Sequence, residues 1–119
     1  MLNLNILIIT LFSVFTFQNS YAQSLTRKVL FLGNSYTSVN NLPQITADIA
    51  ASMNDTLIYG SNTPGGYTLD QHFADTASTN KISAGGWDYV VMQEQSQLPA
   101  FEDYFSNGGS NLCSLIKQY

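Results

Sequence analysis

Charge is scarce in this sequence. Charged residues make up 10% of the chain, where about 25% is usual for a globular protein. Only four residues are Lys or Arg, they form no cluster, and the net charge is −4. A chain so poor in basic residues has no footprint for a phosphate backbone or an anionic membrane surface, so neither nucleic acid nor lipid headgroups are expected partners. Cysteine is represented once, by Cys113, which excludes a disulfide framework within the chain and leaves one thiol whose partner would lie outside it. Histidine is represented once, by His72, and no Cys/His cluster has metal-ligand spacing. Absent too are the Gly-x-Ser-x-Gly nucleophile elbow, the Walker phosphate loop and the dinucleotide-binding Gly-x-Gly-x-x-Gly. No cofactor is implied.

The apolar run Ile6 to Phe17 is shorter than the roughly 20 residues that span a bilayer. It is followed by Ser20-Tyr21-Ala22, with small residues at the first and third positions as a secretory cleavage site requires. Residues 1–22 therefore read as a signal peptide and Gln23 as the mature start. Its n-region carries no Lys or Arg, so the amino terminus alone would supply the positive charge. The expected destination is the periplasm or the medium, with no stable membrane anchor after cleavage.

What is present in residues 23–119 is an alternation. Val29 to Leu32 reads as a buried strand. Leu42, Ile45, Ile49 and Met53 then recur at helical spacing, with Pro43 in the first turn where a missing N–H costs nothing. Thr56 to Tyr59 is a second strand, closed by the turn-rich Gly60 to Gly66. Thr68 stands three residues before Gln71 as a capping box, opening a helix expected to turn Leu69, Phe73 and Ala77 inward. Trp87 to Met92 is a third strand. Pro99 to Phe105 suggests a further helical turn or two, and a last helix follows Asn107-Gly108-Gly109 with Leu112, Leu115 and Ile116. Strands alternating with helices imply an α/β fold: a three-layer α/β/α sandwich on a parallel, doubly wound sheet. Three strands are few for such a sheet, so the expectation is the first part of a domain, incomplete at its carboxyl end.

Ligands of such sheets bind beyond the carboxyl ends of the strands, where strand order reverses. Gly33 to Thr37, Asn62 to Tyr67 and Gln93 to Gln97 would lie there. Ser35 has two readings, a turn or capping serine and a nucleophile held near a helix start. Gly65-Gly66 would let a backbone N–H approach a substrate oxygen, or serve only the turn. His72 reads as a helix-face histidine with a local hydrogen bond rather than as a base. Asp48, Asp55, Asp70, Asp75, Glu102 and Asp103 read as helix-surface and first-turn charges.

Gly33-Asn34-Ser35-Tyr36-Thr37, Gly65-Gly66-Tyr67-Thr68-Leu69 with His72, and Trp87 to Ser96 together resemble the SGNH/GDSL hydrolases. The likeness is to the exported bacterial branch with a "GNSYT" start and a "WDYVVLQEQS" strand, and it covers most of residues 23–119. It implies a three-layer hydrolase acting on small esters, often acetyl groups on carbohydrates. Ser35 would be the nucleophile, and its N–H with that of Gly66 would form the oxyanion hole. A third donor, usually an asparagine in a Gly-x-Asn-Asp block, has no counterpart; Gln93, Gln95 or neither would take its place. Asn34, Tyr36 and Tyr67 would line the substrate crevice. The family's Asp-x-x-His, which supplies the base, is also absent from this sequence. The reading is thus the amino-terminal part of an exported esterase. The alternatives are a non-catalytic glycan-binding module on the same fold, or a truncated product that does not fold alone.

Overall fold

The computed structural model describes residues 23–100 and 107–119. The signal-peptide reading for residues 1–22, the turn around Phe101, Tyr104 and Phe105, and the charges of Glu102 and Asp103 fall outside those residues. Among the described residues no helix is long and apolar enough to cross a membrane.

Three parallel strands, β1 (Thr26–Leu32), β2 (Thr56–Asn62) and β3 (Tyr89–Met92), form one sheet in the order β2-β1-β3. Helices α1 (Ser35–Ser38) and α2 (Leu42–Ser52) join β1 to β2. Helices α3 (Leu69–Ala74) and α4 (Thr76–Ser83) carry the chain back over β1 to β3. A single 3-10 turn, Leu98–Ala100, follows β3, and α5 spans Asn107–Ile116. Because the two crossovers run in opposite directions along the sheet, right-handed connections put their helices on opposite faces. The result is the α/β/α sandwich expected from the alternation.

Register decides what each face holds. Leu30 pairs with Gly60 and Val90, and Leu32 with Asn62 and Met92, so these side chains share one face. There Leu30 and Leu32 pack with Leu69 of α3, Ile82 of α4 and Leu112 of α5, and Trp87, Val90 and Met92 close around them. Gly60 is demanded by this packing: a Cβ would stand 2.7 Å from the Trp87 ring, whose indole N–H donates to the Lys81 carbonyl at 2.7 Å. The opposite face holds Val29 and Phe31, both buried, beside Tyr59, whose hydroxyl donates to Gln44 of α2 at 2.9 Å.

Several elements differ from the sequence reading. Strand β1 starts at Thr26 and β2 runs through Gly60 to Asn62, because the ladder between them pairs every residue from Thr26↔Thr56 to Leu32↔Asn62. Strand β3 begins at Tyr89 rather than Trp87, the indole having turned into the core. The helix opened by Thr68 breaks at Asp75, which leaves helical geometry at φ −88°, ψ 120° and caps α4 by accepting from the Ala77 N–H. That break redirects the axis, so Leu69, His72, Ser78 and Ile82 are buried while Phe73 and Ala77 face outward. The row Leu42, Ile45, Ile49 and Met53 is the exposed side of α2; the half-buried positions are Thr46, Ala47 and Ala50. Gly108 lies inside α5, not before it, and its lack of a Cβ lets α3 lie close, since a Cβ there would collide with the backbone of Leu69 and Asp70. Cys113 is free and exposed on the same helix.

Candidate functional site

Strand order reverses between β1 and β3, and in sheets wound this way ligands bind beyond the carboxyl ends of the strands at such a point. The loops after all three strands are tied together there by side chains. Gly33 leaves the sheet with its N–H on the Asn62 carbonyl at 3.2 Å. Glycine is needed at this point, since a Cβ would lie 2.5 Å from Thr37 Oγ1 and 2.9 Å from Gln93 Oε1.

Asn34 is the buried hub, 2% exposed. Its N–H donates to Gln93 Oε1 at 3.0 Å, its Nδ2 to the Tyr67 carbonyl at 2.9 Å, and its Oδ1 accepts from the Tyr36 N–H at 3.1 Å. The last of these is the N-cap of α1, satisfying a first-turn donor that the helix leaves open. Asn34 thus spends its side chain holding the first loop to the second; it is a scaffold for the crevice more than part of its lining. Gln93 Oε1 also accepts from Thr37 Oγ1 at 3.1 Å, and its amide nitrogen donates to the Glu94 carbonyl. Gln93 therefore has its donor group engaged within its own loop. Gln95 accepts through Oε1 from the Gln97 N–H at 2.8 Å.

Ser35 opens α1 and is half-buried. Along Gly33 to Ser38 every backbone N–H has a partner among the described residues except that of Ser35. Thr37 and Ser38 donate to the Asn34 carbonyl at 3.0 and 3.1 Å. The Ser35 hydroxyl likewise has no partner among the described residues. Gly66, in the loop after β2, is exposed with φ +75°, and nothing lies within 4 Å of where its Cβ would be. Its neighbour Tyr67 is the residue that Asn34 holds, which brings this turn to the first loop. Tyr36 is 69% exposed at the outer edge of α1.

His72 is fully buried and uses both ring nitrogens: Nε2 lies 2.8 Å from the Gly33 carbonyl oxygen and Nδ1 2.7 Å from Ser78 Oγ. A carbonyl only accepts, so the hydrogen sits on Nε2. The Tyr67 ring stands edge-on to the imidazole at 5.2 Å. Behind them, Asn62 Nδ2 donates to Asp75 Oδ2 at 2.7 Å and to Ser78 Oγ at 2.8 Å. The Asp75 carboxyl is held below its usual range, first by the Ala77 N–H, against a smaller opposing cost of burial, with Asn62 and Ser78 adding to the effect. Asp75 is therefore part of a network and not a plain surface charge.

Sequence reasoning passed over Glu94, Asn62 and Ser78. Glu94 Oε1 accepts from the N–H of Leu69 at 3.0 Å and of Gln95 at 2.7 Å, fixing the third loop to the start of α3. An acid directly after a buried strand was the available signal for Glu94. Ser78 and Asn62 sit among ordinary polar residues and carry no such mark. Among the described residues no three His, Cys, Asp or Glu side chains gather to hold a metal ion.

The fold is an open parallel α/β domain whose strand order reverses between β1 and β3, the position at which sheets of this kind bind ligands. No family model matches the chain, and no curated protein matches it. Among solved structures it is similar to a DUF4886 family protein from Bacteroides uniformis ATCC 8492, with a TM-score of 0.64 and 21% sequence identity. The match covers 78% of this chain and 45% of that one, so this chain spans a little under half the length of its structural neighbour. The likeness establishes the shared fold.

Proposed function

We propose that this chain carries the nucleophile and oxyanion donors of an exported serine esterase of the SGNH type, acting on a small ester such as an acetylated carbohydrate. One observation carries the reading. In a loop where every other N–H from Gly33 to Ser38 is bonded, the Ser35 N–H and hydroxyl have no partner among the described residues, at the carboxyl end of β1 beside the point where strand order reverses. A pre-organised donor without a protein partner is what a developing oxyanion requires. The Gly66 N–H, likewise without a partner among the described residues, is the second donor.

In the proposed reaction Ser35 Oγ attacks the ester carbonyl carbon and gives its proton to a general base. The oxyanion is held by the Ser35 and Gly66 N–H groups, the alcohol departs with the proton, and water then cleaves the acyl-serine to release the acid. The base is not His72, whose two nitrogens are committed to Gly33 and Ser78. With no second histidine in the sequence, the reading takes its base from polypeptide outside it. Gln95, Tyr36 and Tyr67 line the crevice, and Gln93 and Asn34 build it.

The test is hydrolysis of an aryl acetate and of acetylated sugars by the natural protein containing these residues, with Ser35→Ala beside it. Turnover abolished in a folded Ser35→Ala variant is the expected result. Undiminished turnover in that variant, or glycan binding without any turnover in the parent, contradicts the reading.

A further inference from the structure

The peptide unit immediately before the Asn34–Ser35 link is gripped on both edges by side chains from distant parts of the chain. Its oxygen, on Gly33, faces His72 Nε2 at 2.8 Å, and its nitrogen, on Asn34, donates to Gln93 Oε1 at 3.0 Å. The two clamps come from different elements: His72 from α3 and Gln93 from the loop after β3. The Gly33 carbonyl stands at the end of β1, where the ladder has ended and no strand neighbour remains to fix its plane.

We propose that His72 is a positioning residue for the candidate catalytic loop. It donates through Nε2 to the Gly33 carbonyl, and Ser78 Oγ, 2.7 Å from Nδ1, holds the other edge of the ring. With Gln93 on the other edge, the peptide plane cannot rotate, and the orientation of the next N–H, that of Ser35, is set before any substrate arrives. Buried histidines elsewhere in proteins satisfy themselves in many ways; this one spends its outward nitrogen on the single carbonyl that aims the loop. Asn62 completes the support by donating to both Ser78 and Asp75 at 2.8 and 2.7 Å, and with Asp75 Oδ2 3.2 Å from Ser78 Oγ the hydroxyl is fixed beside the imidazole. Removing the donor is expected to loosen residues Asn34 to Tyr36 while leaving the core of β1, buried among Leu69, Ile82 and Leu112, in place.

The inference that this aim serves catalysis rests on Ser35 being the nucleophile; the clamp itself does not, and the experiment separates them. In the full chain, the wild-type imidazole is read by long-range nitrogen–proton NMR. A hydrogen on Nε2 is expected, and a hydrogen on Nδ1 alone overturns the clamp without any variant being made. Amide exchange is then compared in His72→Leu, which lacks a donor, and His72→Gln, which keeps one. The expected result is exchange at Asn34 and Tyr36 faster by about five- to tenfold in His72→Leu, the loss of one hydrogen bond, with the amides of Leu30 and Leu32 unchanged and His72→Gln near wild type. Unchanged exchange, or equal acceleration throughout the sheet, overturns it. In the esterase assay His72→Leu should lower kcat by on the order of 100-fold, the cost of a misplacement of about 1 Å, with KM held and activity recovered in His72→Gln. A raised KM with kcat intact overturns the catalytic role. Local exchange as stated in a protein with no esterase activity would leave the clamp standing and remove the nucleophile reading instead.

Discussion

Replacing Asn34 by aspartate exchanges one donor for one acceptor at almost constant shape, and the hub of the crevice should register it. Asn34→Asp keeps an oxygen for the Tyr36 N–H, 3.1 Å from Oδ1, but turns a second oxygen toward the Tyr67 carbonyl, which now accepts from Nδ2 at 2.9 Å. The lost hydrogen bond is worth about 1 kcal/mol, and the half-buried Tyr67 carbonyl left without a donor costs a further 1–3 kcal/mol or so. The site is 2% exposed, so water cannot readily replace the amide. A destabilisation of about 2–4 kcal/mol follows near neutral pH. With a urea m-value of about 2 kcal/mol per M, the midpoint should fall by about 1–2 M at unchanged m. The pH dependence identifies the cause. The introduced carboxyl is disfavoured in its charged form when folded, so its folded pKa lies above its unfolded one. Relative to wild type, stability is then lost as pH rises through that range and recovered as pH falls, because the protonated acid can donate to Tyr67 again. Asn34→Ala should be comparably destabilised with no such recovery. An Asn34→Asp protein as stable as wild type at neutral pH, or a deficit indifferent to pH, would refute the assigned role of Asn34.

Asp75 has the opposite sign: its carboxyl is held below its ordinary value by the Ala77 N–H foremost, so its stabilisation is fully present above the unfolded pKa and is lost as pH falls through the folded one. Urea midpoints followed down to about pH 2 should therefore drop less steeply for Asp75→Asn than for wild type. Gly33→Ala should cost about 1–3 kcal/mol by overpacking, since its Cβ would stand 2.5 Å from Thr37 Oγ1 and 2.9 Å from Gln93 Oε1; equilibrium unfolding measures it, and a neutral substitution would show that the loop can give way. Leu112→Ala, at a fully buried position joining α5 to the core, should cost about 2–5 kcal/mol in the same assay.

The layers of this fold were legible because they depend on patterns that neighbouring residues share. A short apolar run bounded by turns marked β1, the Thr68–Gln71 capping box marked the start of α3, and three polar segments marked the loops that follow the three strands. What was not legible depends on contacts across the chain. The break at Asp75 could not be foreseen from helical periodicity, because an acid that caps a new helix looks locally like an acid on the surface of an old one. The exposed row on α2 carries the same spacing as a covered one, and only the packing of the helix against β2 tells them apart. Gly108 reads as a helix breaker until α3 is found lying against it. At the candidate site, Asn34, Gln93 and His72 were each singled out in the sequence, yet their tasks came from partners 33, 59 and 39 residues away, respectively. The glutamine marked as an oxyanion donor accepts from the loop, and the asparagine marked for substrate is buried beneath it.

Labelling with a fluorophosphonate probe tests the central claim most directly, because such reagents phosphonylate a serine only when its hydroxyl is activated and an oxyanion site stands beside it. In the natural protein containing these residues, peptide mass spectrometry should place the adduct on Ser35, with labelling absent in Ser35→Ala. A folded, unlabelled parent, or an adduct on a different serine that persists in Ser35→Ala, would contradict the assignment of this loop as the nucleophile's.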